Sequence, residues 1–443
     1  MKTPICDFVN KYANDNKLRL HMPGHKGVSY VGCEKLDITE IYGADSLYEA
    51  QGIIAESEKN ASEIFGCSTF YSTEGSSQCI RAMVYLISLY AKARGKNVKI
   101  LAARNAHKAF HSAVALLDVE LEWICSDAMQ NYLSCNVTPE YLDDYLKRSV
   151  QKPTAIYITS PDYIGNLADI KGLSQVCHKH GVLLAVDNAH GAYLKFLSPT
   201  LHPIDLGADI SCDSAHKTLP VLTGGAYLHI AESVSEELSC LVKDALLLFG
   251  STSPSYLILQ SLDKANAYLE NYADRLSSLV NKVNEMKVCI VKHGYKLYGD
   301  EPMKITLLTK SYGYYGYELA AILNEKGIVC EFADPDFLTL MISAENESDI
   351  DIIARILLSV EKKEPITECY PRFLSAERVI DVREACFLPF ETVSVEESLG
   401  RVASLSTIGC PPAVPIIVSG ERIDRHSVEC FKYYGIDKVN VVK

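Results

Sequence analysis

Residues 211–220 read SCDSAHKTLP, an apolar run that ends with a histidine and a lysine side by side. Burying an unpaired ammonium is strongly disfavoured, so Lys217 must be exposed, paired, or no longer an amine. The third possibility is covalent chemistry, in which the amine condenses with an aldehyde. Three other groups sit at comparable places. STEGSSQ (72–78) is a Gly/Ser turn ahead of a helical pattern, and its N–H groups and hydroxyls would cradle an anion such as phosphate. A Ser-rich N-cap produces the same pattern without a ligand. AVDNAHGAY (185–193) ends another apolar run in Asp187, where open α/β sheets place ligands, although a loop or capping acid also fits. RNAHKA (104–109) puts His107 just past a further run, a position also common for structural histidines.

The conjunction is more specific than any part. A phosphate cradle, an imidazole, a strand-end acid and a strand-end lysine at the carboxyl ends of one sheet make a pyridoxal phosphate site. Lys217 would hold the aldehyde as an imine, which removes the charged amine from the pocket. Asp187 would face the pyridine nitrogen and keep it protonated, and His107 would stack on the ring. Gly75, Ser76, Ser77 and Gln78 would take the phosphate, Ser214 and His216 would approach from the lysine side, and Ala189 and His190 would flank the ring.

These groups need a sheet to hold them. VKILAA (98–103), LEWIC (121–125), TAIYITS (154–160), VLLAVD (182–187), ADISCD (208–213) and AYLHI (226–230) are continuous apolar runs, the signature of strands covered on both faces. They alternate with helical patterns, so the expected class is α/β with a mainly parallel sheet. In 77–95, Ile80, Met83, Val84 and Ile87 have helical spacing and Gly95 supplies the stop. A second helical stretch is expected from roughly Pro254 to Val291. MKITLLT and FLTLMIS around a helix at 317–327 suggest a smaller α+β domain, and KKEPITECYPRF (362–373) marks a boundary. The expected organisation is an N-terminal linker at 1–48, a cofactor-binding domain at 49–270, a small α+β domain at 271–361 and a C-terminal domain at 362–443.

Bulk properties narrow the function. A net charge of −13 and no cluster of Lys and Arg argue against nucleic acid. The 15 cysteines have neither CxxC nor zinc spacing, so they read as reduced, buried thiols, and no metal is expected. With no signal peptide or long apolar stretch, the expected location is the cytoplasm and no membrane partner is expected.

With these residues in place, the chain resembles the ornithine/lysine/arginine decarboxylases of fold type I. HMPGHKG (21–27), DITEIYGADSLYEAQGIIAESEKNASEIFG (37–66), STEGSSQ, RNAHKAFHSAV, VDNAHGAY, DSAHKTLPVLTGGAYL (213–228) and STSPSY (251–256) occur in the family's order. The resemblance implies an aspartate aminotransferase-like large domain, a smaller domain, a C-terminal domain, and a homodimer whose active site is shared. Ser251 and Thr252 of one subunit would then reach the other's phosphate. It also implies a compact member without the N-terminal wing of larger relatives. Three places depart from the family pattern. DNAHG stands where DEAHG is usual, placing Asn188 beside Asp187. Glu74 puts a negative charge near the phosphate turn, and CPPAVPIIVSGE (410–421) replaces a YPPGIP…PGE pattern.

The reaction expected is α-decarboxylation of arginine, lysine or ornithine to agmatine or a diamine, with Lys217 or His216 returning a proton to the α-carbon. Glu421 is a candidate partner for the substrate's distal cation. Two alternatives stay open. One is an aminotransferase or carbon–sulfur lyase, for which Arg372, Arg378 or Arg383 would hold an α-carboxylate. The other is a catalytically idle relative that binds the cofactor for regulation.

Overall fold

A computed structural model describes residues 1–15, 17–124, 131–405 and 412–443 of the chain; Cys125 of LEWIC, and Cys410 and Pro411 of the C-terminal motif, lie outside them. Seven strands, β1 (Ser68–Ser72), β2 (Lys99–Ala103), β3 (Glu120–Ile124), β4 (Ala155–Thr159), β5 (Leu183–Asp187), β6 (Ile210–Asp213) and β7 (Ala226–Ile230), form one sheet in the order β1-β7-β6-β5-β4-β2-β3. All six apolar runs of the sequence are strands here. Every residue of β5, β6 and β7 is buried, which is why those segments read as unbroken apolar stretches. β2 with β3 and β5 with β6 are parallel, whereas β7 runs antiparallel to both β6 and β1. The sheet is thus mostly parallel with an antiparallel edge.

The chain divides into two compact units that interleave along the sequence. The first comprises 1–98, 150–156 and 170–276; the second comprises 99–149, 157–169 and 277–443. In the first unit, the helix Gly75–Ala93 follows β1 directly, and Gly75 enters it at φ +71°, a conformation that glycine adopts without a Cβ penalty. Ile80, Met83, Val84 and Ile87 are buried as their spacing requires, and Cys79, Ala82 and Leu86 are buried too, so this helix is enclosed more widely than a single stripe. The helical stretch expected from about Pro254 to Val291 is made of two helices, Tyr256–Leu269 and Tyr272–His293.

In the second unit, β8 (Leu297–Tyr298), β9 (Lys304–Leu308), β10 (Phe332–Ala333) and β11 (Phe337–Met341) form an antiparallel sheet of order β10-β11-β9-β8. It is accompanied by the helices Gly316–Glu325 and Ile350–Leu358. Residues 362–373 carry no regular element. After them, β12 (Phe390–Ser394) and β13 (Lys438–Val442) pair antiparallel. One apolar cluster, with Phe337, Ile423, Phe431 and Val441 at its centre, joins these small sheets. Among the described residues, no helix is long and apolar enough to cross a membrane.

Candidate active site

The lysine that opened the sequence argument lies in the first unit. β6 ends at Asp213, Ser214 follows, and a short helical turn, Ala215–Thr218, carries His216 and Lys217. Lys217 is half-buried and its Nζ lies 3.0 Å from Nε2 of the buried His190, so the amine donates and the imidazole accepts. His216 Nδ1 lies 3.0 Å from the Gly225 carbonyl. A carbonyl only accepts, so that nitrogen carries the proton. Burial lowers the His216 pKa, which leaves the ring neutral at pH 7 with its Nε2 lone pair as the basic site.

The predicted phosphate turn lies beside this lysine turn. Ser214 Oγ donates to Ser76 Oγ at 2.8 Å, and Gly75 N–H donates to the Gly224 carbonyl at 2.7 Å. Gly75, Ser76 and Ser77 are half-buried at the helix start, and a Cβ built on Gly75 would meet no heavy atom within 4 Å. Open space therefore borders the helix N-terminus, where N–H groups favour an anion. Gln78 is placed differently. It is fully buried, and its amide donates to Tyr48 Oη at 3.0 Å and to the Leu246 carbonyl at 2.8 Å while its Oε1 accepts from Ser72 Oγ at 2.5 Å. Its side chain braces the turn from inside. Glu74 is exposed.

Asp187 ends β5 next to the lysine strand, in register with Cys212. Its carboxylate is buried and accepts from the Ala189 N–H at 3.2 Å, which fixes the turn Asn188–Ala189–His190. Asn188, the departure noted in the sequence, is fully buried and donates from Nδ2 to Asp213 Oδ1 at 2.7 Å. The other oxygen of Asp213 accepts from Nε2 of His202 and of His229, both at 3.1 Å. Burial drives the Asp213 pKa upward, but the two imidazoles outweigh it and hold the carboxyl below its usual range. Burial conversely lowers His229, and the Asp213 charge overcomes it, so that imidazole is raised. Sequence reasoning missed this cluster. Its one local sign was an aspartate inside an otherwise apolar run.

His107, in the second unit, is half-buried at the N-cap of the helix Lys108–Leu117, where its Nδ1 accepts from the Ala109 N–H at 3.1 Å. That bond fixes the ring's orientation at the end of β2. Ser251 and Thr252 are exposed ahead of the helix Tyr256–Leu269. Glu421 is buried and its Oε2 accepts from the Val418 N–H at 2.7 Å, with the Arg104 guanidinium 3.4 Å away. The acid expected to hold a distal cation thus already has one. Arg378 donates to the Leu121 carbonyl, and Arg383 to the carbonyls of Ala115 and Leu116, so both guanidiniums are committed to backbone.

A lysine amine, a buried strand-end carboxylate and hydroxyls at an open helix start are the donor set that pyridoxal phosphate requires, and the first unit brings them together. Comparisons with known proteins agree. The chain matches the family profile "Orn/Lys/Arg decarboxylase, major domain" over residues 3–306. It is 30% identical to the uncharacterized protein YaaO of Bacillus subtilis over 97% of this chain and 93% of that one. It is 27% identical to an arginine decarboxylase of Halalkalibacterium halodurans, covering 95% of this chain and 91% of the relative. The solved lysine decarboxylase LdcF of Francisella novicida has the same fold, with a TM-score of 0.80 at 17% identity over 100% of this chain and 81% of its own.

Proposed function

This chain belongs to the Orn/Lys/Arg decarboxylase family, a pyridoxal-phosphate-dependent fold type I enzyme, and from that premise we propose that it decarboxylates arginine, lysine or ornithine to agmatine or a diamine. The cofactor, when bound, supplies an electron sink for the pair left by departing carbon dioxide. Lys217 is the residue to hold its aldehyde and Asp187 the one to hold its pyridine nitrogen. Gly75, Ser76, Ser77 and Ser214 would bind the phosphate, with Gln78 shaping their turn from inside. His107 would lie against the ring face, and Ala189 and His190 would line its edge. Between the two proton donors considered from sequence, the geometry favours Lys217. Its ammonium carries protons and bonds to His190, whereas His216 is neutral and spends its only N–H on Gly225.

A homodimer is favoured by the surface of the N-terminal segment, where Leu18, Leu20, Met22, Tyr30, Val31 and Tyr42 are all exposed on the single chain. Ser251 and Thr252, exposed as well, would serve the partner's site. The enzyme would work in the cytoplasm, in polyamine formation.

The observation that carries the proposal is the placement of Lys217 and Asp187 at the ends of adjacent parallel strands, with Ser214 bonded to the helix-start Ser76. The test is a panel of L-arginine, L-lysine and L-ornithine with detection of carbon dioxide and amine. Turnover of at least one is expected, and Lys217→Ala should lower it at least about a thousandfold. Keto acid without amine would instead favour the aminotransferase reading, and no product from any of the three would sink the proposal.

A further inference from the structure

The second unit contains a cavity of about 660 Å³ bordered by Asp334, Glu368 and the tyrosines 132, 315, 433 and 434. The acids come from two places. Asp334 and Asp336 lie in the turn between β10 and β11, and Glu368 lies in the stretch without regular structure that follows. Asp334 Oδ1 accepts from the N–H groups of Asp336 and Phe337, both at 2.7 Å, which closes the turn. Among the described residues its Oδ2 has no hydrogen-bond partner, although the residue is only 8% exposed. Asp336 is alike: Oδ1 accepts from Tyr433 Oη at 2.7 Å and faces Lys310 at 3.0 Å, while Oδ2 is buried and has no partner among the described residues.

The buried charges do not balance. Among the described residues, two buried acids, Asp334 and Asp336, meet one interior cation, Lys310, which also bridges to the exposed Glu368 at 3.2 Å. Lys432 stands at the cavity's rim, half exposed, and is engaged with Glu396 at 2.9 Å. A buried carboxylate oxygen without donor or counter-charge is costly, and native structures rarely tolerate one without a reason. Burial accordingly pushes Asp334 up to about 7. The aromatic lining suits the missing charge. Lys310 Nζ already lies 4.8 Å from the Tyr433 ring centroid and 5.3 Å from that of Tyr315, so these rings stabilise a cation in place. Tyr434 packs against Tyr132 at 4.7 Å and against Tyr433 at 5.0 Å, which extends the aromatic wall.

We propose that this cavity binds a small organic cation, a primary ammonium or guanidinium on an aliphatic stem, with the charged head at Asp334 and the stem against the tyrosine rings. The cavity lies within the size range of small-ligand pockets and far exceeds a single water. The ligand class is read from the lining alone and holds whichever amino acid the enzyme turns over.

The test is isothermal titration of the wild-type holoenzyme and of Lys217→Ala with agmatine, cadaverine and putrescine, none of which carries a carboxylate to lose. At least one is expected to bind Lys217→Ala with one site per chain, and Asp334→Asn in that background should weaken it at least tenfold. The asparagine keeps the Oδ1 that closes the turn, so the loss reports on charge. Should Asp334→Asn fail to fold, Lys432→Gln at the rim provides a second readout, because removing a competing positive charge should tighten binding severalfold. Absence of any amine isotherm, or an affinity in Asp334→Asn or in Lys432→Gln within twofold of its parent, overturns the proposal.

Discussion

Two buried carboxylates in this molecule have opposite surroundings. Asp213, behind the lysine turn, has both oxygens occupied: Asn188 on one and the imidazoles of His202 and His229 on the other. Asp334, in the second unit, has one oxygen closing a turn and the other without a hydrogen-bond partner among the described residues. Burial alone raises the pKa of both. Only at Asp213 do positive partners reverse the sign, so that the carboxyl stays ionised and His229 is drawn toward protonation. A satisfied buried acid acts as scaffold, here tying the strand end that bears the lysine to the turn after Asp187. An unsatisfied one costs stability, which the chain retains where a ligand's charge would complete it.

The largest effect expected from breaking this contrast is at Asp213. Asp213→Ala leaves two buried imidazoles without their anion and should cost about 3–5 kcal/mol in denaturant unfolding. The pH dependence is diagnostic. His229 has a raised pKa in the folded state, so its stabilising contribution is complete below the unfolded value of 6.5 and disappears as pH rises through the folded value. In the variant burial is opposed only by the Cys67 thiol, so the ring's pKa should fall, and with burial dominant stability is lost as pH drops instead. The slope of stability against pH above about 6.5 should therefore lose its negative contribution, and a new loss should appear on the acid side. An unchanged profile would mean that Asp213 carries no charge in the fold.

Asp334→Asn should move the other way. The folded carboxyl titrates near 7 and the unfolded one near 3.8, so between those values the native state keeps a proton that the unfolded chain has released. Stability of the wild type then falls as pH rises across that window, and the cost is complete above it. Removing the charge should raise stability at pH 8 by on the order of 3 kcal/mol and leave it nearly unchanged at pH 4. Thermal melts of the two proteins at both pH values check the sign. An asparagine that destabilises the protein at pH 8 would show that the attraction of Lys310 for Asp334 outweighs the cost of its burial.

The contrast also marks where the sequence was legible. Lys217 and Asp187 stood out because strands buried on both faces read as unbroken apolar runs, against which a terminal charged residue is conspicuous. β1 escaped notice because STFYS is five residues long, three of them Ser or Thr, and its burial depends on pairing with β7 from far along the chain. Gln78 was read as a phosphate contact from its neighbours, yet its amide is claimed by Tyr48 and Leu246, which local spacing does not reveal. The Asp213 cluster draws His202 from a loop and His229 from β7, and the acid cavity gathers tyrosines from three separate stretches. Sites of that kind are fixed by tertiary packing, and the lone aspartate in an apolar run is all that the Asp213 cluster shows locally.

Asn188 offers the finest test, since it turns an apparent departure from the family pattern into a physical requirement. With Asp213 ionised 2.7 Å away, position 188 must donate a hydrogen bond, and a second carboxylate there would force one of the two to take up a proton. Asn188→Asp should thus cost about 2 kcal/mol at pH 8. The loss should shrink toward pH 5, where a shared proton restores the donor. Combining it with Asp213→Asn exchanges donor and acceptor across the same contact. The double variant should then be about as stable as Asp213→Asn alone, so that the second substitution costs almost nothing once the first is present. If the two penalties simply add, the bond between Asn188 and Asp213 is incidental, and the acid usual at that position in the family would have served equally well.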